Sequence, residues 1–157
     1  MSLVIRIYKR RRLLEAARDG QCVLRCAVRL GFGAQDGHKQ REGDGRTPEG
    51  EYFVCTRNAR SKFYLSLGIS YPNAKDAREA LSRGQIDPET AARIERAQAE
   101  RRRPDWDTPL GGFIMIHGQD PAGREGDWTC GCVALENADM ARLFAMAQLG
   151  DRVILLA

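Results

Sequence analysis

Apolar and polar residues alternate with period two from Leu3 to Tyr8, the pattern of a strand that buries one face. Arg18-Asp19-Gly20-Gln21 marks a turn, and Cys22 to Val28 alternates again as the next strand. Gly31 to Gly50 is rich in glycine, poor in apolar residues, and ends in the turn signal Thr47-Pro48-Glu49-Gly50. Strands are expected over Glu51 to Thr56 and Phe63 to Leu67, the latter running out at Tyr71-Pro72-Asn73. Two helices follow. One spans Ala74 to Arg83 and stops at Gly84; the other starts with an Asp87 cap and Pro88 and runs to about Arg102. The apolar positions of the second helix (Ala91, Ile94, Ala97, Ala99) are small and sparse, which predicts a surface element or a lid. Gly112 to His117 is an apolar run of strand length, as expected of a central, buried strand. Asn137 is expected to cap a last helix with Asp139 in its first turn. That helix has Met140, Leu143, Phe144 and Ala147 on one face and ends at Gly150. Asp151 to Leu156 forms a final strand. The sum is a mainly β single domain over residues 1–157 with a few short helices.

Composition narrows the class. The chain has 157 residues, enough for one domain with a sizeable core, and is 43% hydrophobic and 29% charged. Its net charge of +4 is carried almost wholly by arginine. The runs Lys9-Arg10-Arg11-Arg12 and Arg101-Arg102-Arg103 carry no interleaved aromatics, so they predict solvated faces and no nucleic-acid partner. A mild attraction to an anionic cell-wall polymer is compatible with this charge. No stretch approaches the roughly 20 apolar residues of a membrane helix. Met1 to Tyr8 is too short and interrupted for a signal peptide, so the protein is expected to be cytoplasmic or to have lost a leader. Five cysteines, an odd number, do not make a disulfide framework.

Candidate chemistry gathers in two short stretches, His117-Gly118 and Thr129-Cys130-Gly131-Cys132-Val133. A thiol in a glycine-flanked turn, with an imidazole on a neighbouring segment, is the minimal equipment for covalent acyl transfer. Cys132 sits between a polar loop and an apolar run, where a side chain is aimed rather than packed, although most free cysteines are buried structural thiols. The chain has only two histidines. His117 closes an apolar strand that Gly118 breaks, which favours it as the base over a core histidine. His38 lies in the glycine-rich loop and is expected to order it. Two other uses of these residues stay open. Cys130 and Cys132 with His117 or His38 could ligate zinc, but Cys-x-Cys is less typical than Cys-x-x-Cys and no second tight pair exists. A redox pair is open to the same objection.

These motifs resemble the YkuD-type L,D-transpeptidase catalytic domain of bacterial cell-wall enzymes. The family pattern is His-Gly, a loop, Ser/Thr-x-Gly-Cys-(Ile/Val) and a downstream Asn; here these are His117-Gly118, Thr129 to Val133, and Asn137. Lys39 with Glu42 to Tyr52, Leu65 to Asn73, and Gly111 to His117 agree as well, so the resemblance covers roughly residues 3–156. It implies a β-sandwich-like core with the active site at one end. Its substrate would be a peptidoglycan stem tetrapeptide, cut between its L-centre diamino acid and terminal D-alanine. Cys132 would be the nucleophile forming a thioester, His117 its base, and N–H groups around Gly131 and Cys132 the oxyanion hole. Gly131, Cys130, Thr129, Gly118, Trp128 and Tyr71 would line the hole or the substrate. An amine acceptor gives transpeptidation and water gives hydrolysis, with no metal or organic cofactor. The resemblance places the protein in the periplasm or cell envelope. A non-catalytic wall-binding or regulatory domain on the same fold is the other function this implies. The chain departs from the common form at Cys130, where His is usual, and at Ala134, where Arg is usual. Arg124 or Arg46 is the expected substitute for that missing cation. The segment of about 85–103 looks like a helical insertion that could cover the site as a lid.

Overall fold

The computed structural model describes residues 2–157. Eight strands lie in one sheet: β1 (Leu3–Tyr8), β2 (Leu13–Arg18), β3 (Gln21–Ala27), β4 (Gly50–Ser61), β5 (Tyr64–Ile69), β6 (Met115–His117), β7 (Val133–Ala134) and β8 (Arg152–Leu156). Their spatial order is β3-β2-β1-β8-β4-β5-β6-β7. Three helices, α1 (Ala74–Ser82), α2 (Pro88–Ala99) and α3 (Asn137–Met146), complete the regular structure.

The long strand β4 gives the sheet its shape. Its first residues, Gly50 to Phe53, pair with β8, and the rest, Val54 to Ser61, pair with β5. One strand thus serves two half-sheets and turns the corner between them, as strands do in sandwiches and barrels. The curl closes at the far ends. Past β3, Arg29 exchanges both backbone hydrogen bonds with Ala134 (2.9 and 2.8 Å), and Gly31 bridges Thr129. The mainly β, sandwich-like architecture expected from the sequence is the one observed.

Leu3, Ile5, Ile7, Leu14 and Ala16 point one way from β1 and β2 and are buried with Leu67, Ile69, Ile116, Val133 and Val153. This inner face is the core. Helix α3 closes it through Met140 and Leu143.

Several boundaries differ from expectation for physical reasons. Strand β2 is missed by a reading that seeks strong alternation, because Leu-Leu-Glu-Ala-Ala buries only Leu14 and Ala16. The run Lys9 to Arg12 is not a solvated face throughout. Lys9 is 3% exposed and donates to Gly37 O, Thr47 O and Glu49 Oε2 at 3.1, 2.6 and 3.0 Å. Strand β6 begins only at Met115, because Phe113 has a φ of 57° in the left-handed region. Helix α2 buries Ala91, Ile94 and Ala97 and packs on α1, with Gln98 accepting from Ala74 N, so it is anchored rather than a free lid. Asn137 does not cap α3. Glu136 holds the cap position without a side-chain bond, and Asn137 serves the site described below.

A buried network ties α1 to the glycine-rich loop. Asp76 accepts from Tyr52 Oη (2.8 Å) and Asn73 N (2.9 Å) and pairs with His38 Nε2 (2.7 Å). Glu49 N donates to His38 Nδ1 at 2.7 Å, so the imidazole proton resides on Nε2 and points at the carboxylate. His38 therefore orders the loop, as expected, and has no nitrogen left for catalysis. Asp76→Ala should lower unfolding free energy by about 3 kcal/mol, because three buried donors lose their acceptor. Urea denaturation checks this; a loss within a few tenths of a kcal/mol would mean that water replaces the carboxylate.

Candidate active site

The turn carrying Cys132 is built by one threonine. Thr129 Oγ1 accepts from Gly131 N (3.1 Å) and donates to Cys132 O (2.7 Å). Thr129 N donates to Leu30 O and Phe32 N donates to Thr129 O, so the turn is stitched to residues 30–32. Asp127 fixes its entry by pairing with Arg12 and accepting from Leu30 N at 3.1 Å. Gly131 has a φ of 137°, and a Cβ there would lie 2.8 Å from Arg46 O. Gly31 faces it so closely that a Cβ would lie 2.0 Å from Gly45 O and 2.8 Å from Gly131 Cα. Only glycines let these three segments touch.

The sulfur of Cys132 is seated against the start of β6. Met115 N donates to Sγ at 3.3 Å, and Sγ lies 3.4 Å from Phe113 O, which can accept its proton. Burial pushes the thiol up to about 11, with the Met115 N–H pulling the other way. Burial likewise raises Cys26 and Cys55 to about 12. The resting Cys132 is therefore a neutral thiol at pH 7, not the near-neutral thiolate that catalytic cysteines often carry.

His117 ends β6 and is 3% exposed. Its Nδ1 lies 2.7 Å from Gly118 O, and a carbonyl can only accept, so Nδ1 carries the proton and Nε2 the lone pair. Burial lowers the imidazole's pKa below its ordinary value, against the raising effect of the Gly118 carbonyl. Phe63 stacks on the ring at 4.6 Å, and Trp128 lies 5.6 Å away. Nε2 has no hydrogen-bond partner among the described residues and is not among the fully enclosed unpaired atoms, so it keeps a window to solvent.

Strand register relates the two groups. Strands β6 and β7 are parallel, with Ile116 opposite Val133 and His117 opposite Ala134. Ile116 and Val133 face the core, so His117 and Ala134 stand on the other face, while Cys132 lies just before β7 with its sulfur against the backbone that leads into β6. No hydrogen bond joins Sγ and the imidazole; each is held by backbone groups of the segment 113–118.

The remaining expected site residues divide. Gly118 is at the site: its N donates to Phe63 O (2.7 Å), and a Cβ would lie 2.4 Å from Asn137 Oδ1. Asn137 fixes this corner reciprocally, accepting from Gln119 N and donating to Gln119 Oε1, both at 3.0 Å. Trp128 walls His117, and Cys130 is exposed beside the turn. Two expectations need correction. Gly131 N is taken by Thr129, so it is not free for an oxyanion; Cys132 N, with no acceptor among the described residues, is the donor left beside the sulfur. Tyr71 is 0% exposed and donates to Leu110 O at 2.9 Å, so it supports the neighbouring loop rather than lining the substrate. Thr129 is buried likewise and shapes the turn. Arg124 is held by Asp120 at 2.6 Å and lies over Trp128, while Arg46 donates to His38 O. Arg124 is thus paired with a carboxylate, whereas Arg46 has no carboxylate partner among the described residues. Sequence reasoning missed Phe63, for which an aromatic at a hairpin gave no signal. No group of three or more His, Cys, Asp or Glu among the described residues could hold a metal ion.

Residues 2–155 match the family described as YkuD, L,D-transpeptidase catalytic domain. The chain belongs to this family. Solved structures agree on the fold of this L,D-transpeptidase-family domain. The helical cell shape determining protein Pgp2 of Campylobacter jejuni is 21% identical with a TM-score of 0.65, covering 98% of this chain and 47% of that one. Bd1075 of Bdellovibrio bacteriovorus is 22% identical with a TM-score of 0.63, over 98% and 47%. An L,D-transpeptidase of Stackebrandtia nassauensis is 14% identical with a TM-score of 0.59, over 100% and 56%. The chain thus spans about half the length of these structures. No curated protein matches the sequence.

Gly131→Ala should cost about 1–3 kcal/mol of stability and slow alkylation of Cys132, since the turn must shift away from Arg46 O. Thermal melting and iodoacetamide labelling check this; unchanged labelling would mean that the turn does not seat the sulfur.

Proposed function

We propose that the protein is a cysteine-dependent L,D-transpeptidase acting on peptidoglycan stem tetrapeptides, with Cys132 as nucleophile and His117 as general base. The observation that carries this is the proton inventory of the two groups, which the pairing of β6 with β7 brings onto neighbouring segments. One sulfur holds a proton, and one imidazole nitrogen, Nε2, holds a free lone pair toward solvent. A peptide carbonyl entering beside Sγ is attacked as Nε2 takes the thiol proton. The oxyanion is received by Cys132 N and the same proton returns to the departing amine of D-alanine, leaving a thioester. A second amine, or water, then releases the acyl group. A location in the cell envelope follows from such a substrate; among the described residues no helix is long and apolar enough to cross a membrane.

A resting neutral pair suits this order of events. With the thiol raised and the imidazole lowered, proton transfer accompanies attack instead of preceding it. The second reading, a non-catalytic wall-binding or regulatory domain on the same fold, draws on the missing Sγ–imidazole hydrogen bond. Catalytic bonds of this kind often tighten only when substrate binds.

The pH profile separates the two readings. Nε2 must be unprotonated, so acylation by a stem tetrapeptide should fall as pH drops through the imidazole's pKa, below the usual 6.5. Iodoacetamide labelling of free Cys132 should instead climb with pH toward about 11. His117→Ala should cut acylation by about 10²–10⁴ while the fold persists by circular dichroism. Full acylation in that variant would remove His117 from the mechanism, and no acylation of the unaltered protein would favour the binding domain.

A further inference from the structure

Lys39 is 3% exposed, yet it hydrogen-bonds to neither Cys132 nor His117. Its Nζ donates to Arg41 O at 3.0 Å and to Asp44 Oδ1 at 2.9 Å. Asp44 also accepts from the backbone N–H groups of Gln40 (2.8 Å), Arg41 (3.1 Å) and Arg46 (3.1 Å). Burial pushes the Asp44 carboxyl up, but these N–H groups and the Lys39 ammonium outweigh it and hold the group below its usual value, so it is ionised. The pair closes residues 39–46 into one loop, and that loop touches both supports of the Cys132 sulfur. On one side Gly33 N donates to Gly45 O at 2.8 Å, and a Cβ on Gly131 would lie 2.8 Å from Arg46 O, so the loop backs the turn that carries the sulfur. On the other side Glu42 N donates to Pro109 O at 3.0 Å, and a Cβ on Gly111 would lie 3.3 Å from Lys39 Cε. Two residues beyond Gly111, Phe113 O meets the sulfur at 3.4 Å.

We propose that Lys39 is a positioning residue for the reaction: through Asp44 it shapes the loop that backs both supports of the Cys132 sulfur, and its ammonium is the buried cation that favours negative charge on that sulfur. For its effect on turnover this rests on the acyl-transfer reading above. Burial raises the Cys132 thiol, while the Met115 N–H and the Lys39 charge act the other way. When Nε2 of His117 takes the thiol proton, the charge left on sulfur meets the same ammonium through protein rather than water, where a charge acts more strongly. Lys39 works from behind residues 109–113, enclosed, so its contribution falls on the sulfur and not on the binding of substrate.

The test reads iodoacetamide labelling of each cysteine by mass spectrometry across pH. Lys39→Met keeps an unbranched apolar stem and removes the charge. Labelling of Cys132 at pH 8 should fall about 3- to 10-fold and its rise should move to higher pH, as expected when a nearby but partly compensated charge is lost. Exposed Cys22 serves as the reference, and buried Cys26 stays unlabelled while the fold persists. A loop with a structural role alone would loosen and open the sulfur, so unchanged or faster Cys132 labelling overturns the proposal. If Cys26 becomes reactive in Lys39→Met, Asp44→Asn decides. It keeps the ammonium and removes the counter-charge, so the Cys132 profile should move to lower pH; no change, or an equal increase at every pH, overturns the proposal. Reactive Cys26 in both variants would make the pair a folding element alone, which overturns it too. With a stem tetrapeptide, Lys39→Met should lower the acylation rate at saturation by the same factor and leave KM unchanged. A raised KM at an unchanged rate would put Lys39 in substrate binding and end the positioning role. Absence of acylation in the unaltered protein would sink the acyl-transfer reading and leave the labelling result to decide the role of Lys39.

Discussion

The structure depends on a backbone seam. Residues 28–32, which continue past the edge strand β3, lie against residues 127–134 through the Arg29–Ala134 pair, the Gly31–Thr129 bridge and the Asp127 side chain on Leu30 N. This seam closes the curled sheet and holds the Cys132 turn. It forms only because Gly31, Gly45 and Gly131 carry no side chain where the segments meet; a Cβ on Gly31 would lie 2.0 Å from a carbonyl oxygen. Each link is an ordinary backbone hydrogen bond with a modest net contribution. Together they place one sulfur against β6 within a fraction of the spacing between strands.

The same seam sets the electrostatics. A sulfur wedged between the Met115 N–H and the Phe113 carbonyl is half-buried, and that burial outweighs the opposing pull of the Met115 N–H and of Lys39, so the protonated form prevails. The imidazole, covered by Phe63 and Trp128, is also held neutral. The Gly118 carbonyl then fixes the tautomer that leaves Nε2 basic. In the proposed mechanism the cost of creating charge is deferred to the moment a substrate can share it, as in catalysis by preorganised dipoles.

Legibility in the sequence followed the strength of local signals. The alternation of β1, the Asp87-Pro88 start of α2 and the apolar stripe of α3 could be read directly, because each element buries one continuous face. His117 and Cys132 stood out as candidates through the glycines that break the chain beside them. Strand β2 was hidden by its paired leucines and alanines. The shortening of β6 was hidden because nothing in Gly-Phe-Ile-Met foretells a left-handed Phe113. Lys9, written inside a run of arginines, gave no hint that it is buried on two carbonyls and Glu49. Tyr71 read as a site residue because it borders the motif, whereas only packing reveals that its hydroxyl is spent on Leu110 O.

The central claim is that Cys132 carries the acyl group. Tandem mass spectrometry of the protein quenched in acid after mixing with a disaccharide-tetrapeptide tests it most directly. The account predicts a thioester adduct lacking the terminal D-alanine, on the peptide containing Cys132 and absent from Cys132→Ala. An adduct on another cysteine, or turnover that survives the loss of this sulfur, would contradict it.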